Sequence, residues 1–365
     1  MDLKFKEVKE LFDSKFRNQL QNEIQGFRYH YEGDEYTHTM MVVKEAYEKD
    51  YENEKEKWIY VLAAFLHDVA KSDVRVEKDG KIFHTGHSGT SVLKSINFLL
   101  QVRDIIGISY QDIITILYLI NYHDAHWQFG NFRSIFQYYP NLYEKLKLFS
   151  SFDVKGRITQ SELKNQSYPE DIEFILEENT PIDDSTNVVH ILVGVPNSGK
   201  DTFLRSKGIG KSIIVSRDDI LMDYGTEKYG DLIYSELWDI LTKEDQEKIN
   251  NLLWNKFTTL VRKQEKEIYV NLTNVSFSTR KKWITLAENY GYRIKFHTFL
   301  TDLDIVLRRN KKRFEEEGKN IPNVVLLDMS KRLQLPLPKY ETLESEDVTY
   351  YVNNEIIVDN FVSKL

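Results

Sequence analysis

Seven of the nine histidines fall between positions 30 and 126. Imidazole is the commonest ligand for borderline-soft divalent metals, and carboxylates complete such sites. The chain offers His38, then His67 with Asp68, then His87, His123 and Asp153. A single buried histidine is more often a satisfied core residue, and His30, His84 and His126 keep that reading. So do His190 and His297, which lie inside β-rich runs. The joint pattern is different. Adjacent helical positions are offset by about 100°, so His67 and Asp68 can reach one metal pocket from one wall. The carboxylate there can also bridge two ions. Lys71, four residues after His67, shares its helix face, and Arg157 stands in the same relation to Asp153. Cations beside a two-metal centre suit a phosphate substrate. Two bound ions would clamp phosphate oxygens and turn a bridging water into an attacking hydroxide.

A second constellation lies downstream. VVHILVGVPNSGKDTF sets a β-rich run, then Gly194-x-x-x-x-Gly199-Lys200, then a helix start. This is a phosphate-binding loop in its required context. The glycines let the backbone, with Pro196, Asn197 and Ser198 between them, wrap the phosphates, and the helix start holds the negative charge. Lys200 would reach the β- and γ-phosphates of an NTP, ATP or GTP, bound with Mg²⁺. Asp201 stands where Ser or Thr is usual, with Thr202 next. Asp201 could ligate Mg²⁺ directly, Thr202 could act instead, or water could intervene.

After the next β-rich run comes Ser216-Arg217-Asp218-Asp219. The C-terminal ends of parallel strands face the ligand crevice, where an Asp can take a proton from a hydroxyl attacking the γ-phosphate. Helix N-capping is the plainer role for one of the pair. Further on, Arg309 and Arg313 are four apart in a basic run, on one helix face. Such runs are usually solvated surface. In a P-loop kinase this is where a lid supplies arginine to the transferring phosphoryl group. The segment EEEGKNIPNVVLLDMSKRLQLP would be the lid's return helix.

Two kinds of patterning must position these groups. Residues 1–160 carry apolar residues at helical spacing over 37–49, 58–70, 88–103, 110–122 and 141–151, with strand-like runs nearly absent. From 159 to 187 the composition turns to Ser, Asn, Pro and acid, a linker with one short helix near 169–178. Beyond it the runs 188–193, 212–216, 267–271, 292–300 and 355–359 read as strands, with helices between them, including 231–264 and 278–290. Buried strands alternating with amphipathic helices predict a parallel sheet with crossover helices. The expected fold class is multidomain, α then α/β. An all-helical domain spans 1–165, a linker 166–186, and a P-loop domain with a parallel sheet 187–365, its helical lid at about 302–335.

Composition fits two domains. The chain has 365 residues, 41% apolar and 29% charged, which is an ordinary globular balance. Zero Cys excludes a disulfide, a thiolate metal site and a cysteine nucleophile. No apolar run approaches the ~18 residues of a membrane helix, and the charged start MDLKFKEVKELF has no apolar signal core. The expectation is a cytoplasmic protein with no membrane partner. A net charge of -8 argues against a nucleic-acid-coated protein, but not against one that grips a chain end with a few placed cations.

AAFLHDVAK, with its upstream His, downstream GH and final Asp, resembles the HD phosphohydrolase superfamily over residues 30–157. The resemblance implies one metal held by His38, His67, Asp68 and Asp153. His87 and His123 would hold a second, sharing Asp68. Both would be divalent transition metals, which His and Asp ligation alone does not distinguish. The later half resembles the phage-type 5′-hydroxyl polynucleotide kinases through GxxxxGK, Arg217-Asp218-Asp219, Thr273-Asn274 and the Arg-Asn-x-x-Arg lid. That implies Asp218 as general base and Arg309 and Arg313 as lid arginines. Leu221 replaces the arginine with which the phage enzymes grip their acceptor.

The two together resemble the bacterial HD-Pnk family of RNA end-healing enzymes, in which Lys71 and Arg157 match active-site positions. The implied activities are 5′-OH phosphorylation from an NTP and metal-dependent removal of 2′,3′-cyclic or terminal 2′/3′-phosphate. RNA (or DNA) ends would be the substrates. No Lys-x-Asp-Gly motif occurs, so a separate RNA ligase would seal the ends, and a homodimer is compatible with this reading. The alternatives are a hydrolase-kinase acting on free nucleotides or small metabolites, and a nucleotide-sensing regulatory protein.

Overall fold

A computed structural model describes residues 2–24, 31–128, 130, 132–158, 172–175, 187–342 and 348–359. The chain divides into two compact units, one comprising Met1–Glu177 with Ser330–Leu335 and Lys364–Leu365, the other Glu178–Met329 with Pro336–Ser363.

The first unit is built of helices: Leu3–Phe12, Glu35–Glu48, Glu54–Leu66, His87–Ile106, Tyr110–Tyr122 and Pro140–Lys155 are the main ones. Local chemistry starts them. Asp34 caps Glu35–Glu48 by accepting from Thr37 N, Asn53 caps Glu54–Leu66 by accepting from Glu56 N, and Ser109 with Asp112 forms a capping box. Tyr110–Tyr122 is buried from Asp112 onward, and Glu54–Leu66 from Tyr60 onward. Helices apolar on every side belong at the centre of a unit, and these two pack against each other there. A small antiparallel hairpin, β1 (Val76–Lys78) with β2 (Lys81–Phe83), is the one addition to the helices among the unit's described residues. Its turn, Asp79-Gly80, has both residues at positive φ, which is the turn chemistry that a short hairpin favours.

The expected helix over 58–70 ends at Leu66, and His67–Ala70 form turns before a separate short helix, Lys71–Val74. Lys71 therefore does not stack one turn above His67. It reaches Asp68 instead, with Nζ 2.7 Å from the carboxylate. The expected short helix at 169–178 lies outside the described residues except for 172–175, which have no regular structure.

The second unit carries a six-stranded sheet in the order β4-β5-β3-β6-β7-β8. The strands are β3 (Val188–Val193), β4 (Ile214–Ser216), β5 (Glu267–Asn271), β6 (Arg293–Leu300), β7 (Val348–Val352) and β8 (Glu355–Asp359). The first five are parallel, and β8 returns antiparallel to β7. Strand β7 was not expected. It pairs with β8 across Asn353-Asn354, both at positive φ, a turn for which Asn is suited. The helix expected over 231–264 is two, Tyr234–Ile240 and Lys243–Arg262, because Thr242 and Asp245 form a capping box that starts the second. Two helices, Leu303–Glu317 and Asn323–Lys331, occupy the segment expected to form a lid, and Gly318 in the left-handed conformation ends the first.

Candidate functional sites

In the first unit His67, His87 and His123 share one local device. Each lies at a helix end and directs Nδ1 to the carbonyl three residues earlier: Ala64 at 2.9 Å, His84 at 2.9 Å and Ile120 at 2.8 Å. A carbonyl can only accept, so Nδ1 donates in each ring, and the neutral ring then offers Nε2 as the ligand atom. The Nε2 atoms of His87 and His123 lie 3.2 Å apart. Asp68 Oδ1 is 3.0 Å from the first and 3.7 Å from the second. Its Oδ2 is 2.9 Å from His67 Nε2 and 3.8 Å from His38 Nε2. Asp153 Oδ1 adds a contact at 3.0 Å to His38 Nε2 and lies 3.9 Å from His67 Nε2. His38–His67–Asp68 and Asp68–His87–His123 thus form two ligand groups that share Asp68, each with its donor atoms within 4.8 Å of one another.

The donor set fits two divalent cations. His67 Nε2 and Asp68 Oδ1 are buried without a hydrogen bond among the described residues, which suits them to a cation. Burial would raise the Asp68 and Asp153 carboxyls, but the opposing pull of His67 and Lys71 on the first, and of Arg157 and His38 on the second, keeps both well below the usual carboxylate range. Both therefore stay ionised, as metal ligands must. Arg157 bonds the Asp153 carboxylate. Lys71 lies between Asp68 and the fully buried Glu35, 3.0 Å from the latter. Burial pushes Glu35 up to about 8 against the pull of Lys71.

Glu35 carries no sequence signal of this role, since it opens a helix where an acid is ordinary. Glu32, 3.3 Å from His38 Nδ1, is equally silent in the sequence. Of the remaining histidines, His84 pairs with Glu23 at 2.8 Å. His126 is half-buried outside both ligand groups. His30 lies outside the described residues. His190 and His297 bond each other at 2.9 Å within the second unit's sheet, and His297 reaches Tyr351 Oη at 3.0 Å.

In the second unit the phosphate loop leaves the C-terminal end of β3. Asn274 holds that end by donating to Leu192 O and Val270 O at 3.0 and 3.2 Å, and Gly194 N donates to Thr273 O at 2.9 Å. Gly199, at φ 106°, precedes helix Lys200–Ser206, and a Cβ there would fall 1.8 Å from Asn354 Oδ1. Only glycine fits. Lys200 Nζ donates to Gly194 O at 2.7 Å and Val195 O at 2.8 Å. Its burial lowers it to about 8, although Asp201 and Asp218 pull the other way. Asp201 accepts from Asn271 Nδ2 at 2.8 Å, while Thr202 is exposed on the helix. Pro196 is half-buried in the loop, Ser198 is buried, and Asn197 is at φ 62°.

Helix Leu303–Glu317 meets the loop at Asn197. Arg309 Nη1 donates to Asn197 O at 3.1 Å and Arg313 Nη1 approaches Asn197 Oδ1 at 3.5 Å. Asn310 between them, unmarked by sequence reasoning, accepts from Asn197 Nδ2 at 3.2 Å and donates to Ile321 O at 2.7 Å. Asp218 sits in the first turn of helix Arg217–Tyr229, whose cap is Ser216, so the capping role belongs to neither aspartate. Its carboxylate accepts from Tyr234 Oη at 3.0 Å and from Lys319 Nζ. Burial would raise it, but Lys319, Tyr234 and Arg313 hold it below its ordinary value. Leu221 is buried in the core.

Residues 189–336 match a family described as AAA domain. The second unit therefore carries a P-loop kinase-like domain, which implies a nucleotide with Mg²⁺. No curated protein matches the chain. Solved structures with similarity include the Pnkp1/Rnl/Hen1 RNA repair complex, at 24% identity and TM-score 0.34 over 42% of this chain and 45% of that one. A putative kinase from Chloroflexus aurantiacus J-10-fl follows at 11% and 0.35, over 47% of this chain and 88% of that one. The PezAT toxin-antitoxin system of Streptococcus pneumoniae follows at 15% and 0.32, over 48% and 72%. The chain spans less than half the length of the first of these. No helix among the described residues is long and apolar enough to cross a membrane.

Proposed function

We propose that the protein is a bifunctional RNA end-healing enzyme of the HD-Pnk kind. The observation that carries this reading is the presence in one chain of two phosphate-directed sites of different chemistry. One is a His/Asp cluster with converging ligand atoms and two flanking cations, and the other is a phosphate loop paired with a carboxylate and two arginines.

In the kinase reaction Asp218 accepts the proton of a 5′-hydroxyl as the new O–P bond forms and the β–γ bridging P–O bond breaks, releasing NDP. Lys200, Arg309 and Arg313 neutralise charge on the transferring phosphoryl group. Asp201 or Thr202 holds the Mg²⁺ of the nucleotide. In the hydrolase His38, His67, Asp68 and Asp153 would hold one divalent transition metal, and His87 and His123 would hold a second with Asp68 shared. Ions bound there would supply Lewis acidity and a nucleophilic water. Lys71 and Arg157 bind and orient the 2′,3′-cyclic or terminal 2′/3′-phosphate. Sealing falls to a separate RNA ligase, and the two activities occupy the domains 1–165 and 187–365.

Incubating the protein with RNA ending in 5′-OH and 2′,3′-cyclic phosphate, with NTP, Mg²⁺ and a series of transition metals, tests this. The expected product carries a 5′-phosphate and a free 2′,3′-diol. No change at either end under any metal would overturn the reading. A small-molecule substrate is the second reading, favoured by the burial of Leu221 where an acceptor-gripping cation is otherwise expected. Competition of an oligonucleotide against its mononucleotide separates the two.

A further inference from the structure

The carboxylate assigned as the kinase base is not free in this structure. Lys319, only 7% exposed in its side chain, bonds Asp218 Oδ2. Its ammonium also sits 3.8 Å from the centre of the Tyr234 ring, whose hydroxyl donates to Asp218 Oδ1. One turn along the same helix Trp238 lies 6.2 Å from Tyr234, ring to ring, and remains 39% exposed. The Arg217 guanidinium lies 5.1 Å over the Trp238 ring. Ile233 and Ile240, at either end of this short helix, are 50% and 44% exposed. The surroundings of Asp218 therefore combine a desolvated cation, two aromatic rings and open apolar surface.

That combination has a physical problem and a chemical solution. A carboxylate held by an ammonium is a weaker proton acceptor, so the pairing opposes its use as a base. An incoming anion that takes the ammonium would relieve it. A nucleoside whose 5′-hydroxyl reaches Asp218 brings its 3′-phosphate within one sugar's length, and its base is a flat surface of the kind that stacks on tryptophan.

We propose that Lys319, Tyr234 and Trp238 form the acceptor subsite of the kinase. Lys319 takes the phosphate 3′ of the terminal nucleoside and Trp238 stacks its base. Acceptor binding and release of Asp218 are then one event, which rests on the kinase reading above. The cation comes from the segment after the lid helix, ten residues beyond Arg309, so the position held by Leu221 is not needed for it.

The test compares uridine 3′-monophosphate with uridine as acceptors, in the full-length protein, with NTP and Mg²⁺. Charge-assisted contact with a phosphate predicts a preference of about tenfold or more in kcat/KM for the phosphorylated acceptor. Lys319→Ala should abolish that preference, Lys319→Arg should retain most of it, and both should leave the KM for NTP unchanged. Trp238→Ala should raise KM for the two acceptors by the same factor. With Lys319→Ala the acid limb of kcat for uridine should move to higher pH, because Asp218 loses its paired cation. If Lys319→Ala slows both acceptors equally and the preference survives, Lys319 only positions Asp218 and the subsite is wrong. Equal use of the two acceptors by the wild type would remove the subsite while the kinase reading stands. Failure to phosphorylate either acceptor or any 5′-OH oligonucleotide would remove both.

Discussion

Asp68 Oδ2 lies 2.7 Å from the Lys71 ammonium, while Oδ1 of the same carboxylate lies 3.0 Å from His87 Nε2. One side chain thus joins the Lys71 ammonium to both ligand groups of the His/Asp cluster. Asp68→Ala should abolish removal of a 2′,3′-cyclic phosphate and leave 5′ phosphorylation intact, whereas Lys200→Ala should do the reverse. End analysis of a single labelled RNA reads both activities, and loss of both from either substitution would contradict two independent sites.

Glu35 provides a finer test of the same cluster. Its carboxyl, pushed up to about 8 by burial, is mostly protonated near physiological pH, so a full charge is not what Lys71 requires of it. Glu35→Gln should change stability by less than about 1 kcal/mol, whereas Glu35→Ala leaves Lys71 short of a buried partner and should cost about 3 kcal/mol. Urea denaturation followed by circular dichroism distinguishes the two, and equal losses would show that Lys71 requires the carboxylate itself.

Lys200 sets a pH dependence with a definite sign. Its ammonium is lowered to about 8 in the nucleotide-free protein, below its ordinary value, whereas bound phosphates favour the charged form. NTP binding should take up little proton at pH 7 and up to one at pH 9. Affinity should weaken above about pH 8, approaching about tenfold per pH unit. Calorimetry in buffers of different ionisation enthalpy measures the uptake; a flat profile from pH 7 to 9 would contradict it. The same shift makes the unfolded chain bind more protons than the folded one from about pH 8 upward, so this group's contribution to stability improves as pH rises there.

Arg280 tests the support beneath the phosphate loop. Fully buried, it forms a bidentate pair with Glu341 at 2.5 and 2.9 Å and donates to Asn274 O at 2.9 Å. Asn274 in turn holds the end of β3. Arg280→Ala strands a buried carboxylate and should destabilise the protein by about 3–5 kcal/mol, with weaker NTP binding as the loop's base loosens. Arg280→Ala combined with Glu341→Leu should recover part of the stability. Thermal melts of the two variants decide it.

The order of helical and α/β halves, the phosphate loop and its glycines, and the five runs read as strands were legible in the residues themselves. Such features rest on local spacing: helical periodicity, β-rich runs, and a loop whose glycines have no substitute. Strand β7 escaped because VTYYV is short and its partner across Asn353-Asn354 is recognised only once the turn is seen. Tertiary structure alone decided the partners of the site residues. Helix Glu54–Leu66 stops one residue before His67, which turns Lys71 toward Asp68 and Glu35 instead of along a helix face. Lys319 comes to Asp218 from 101 residues away, and Asn310 and Asn197 meet across 113. Contacts at such separations arise from packing of whole elements, which no local pattern encodes.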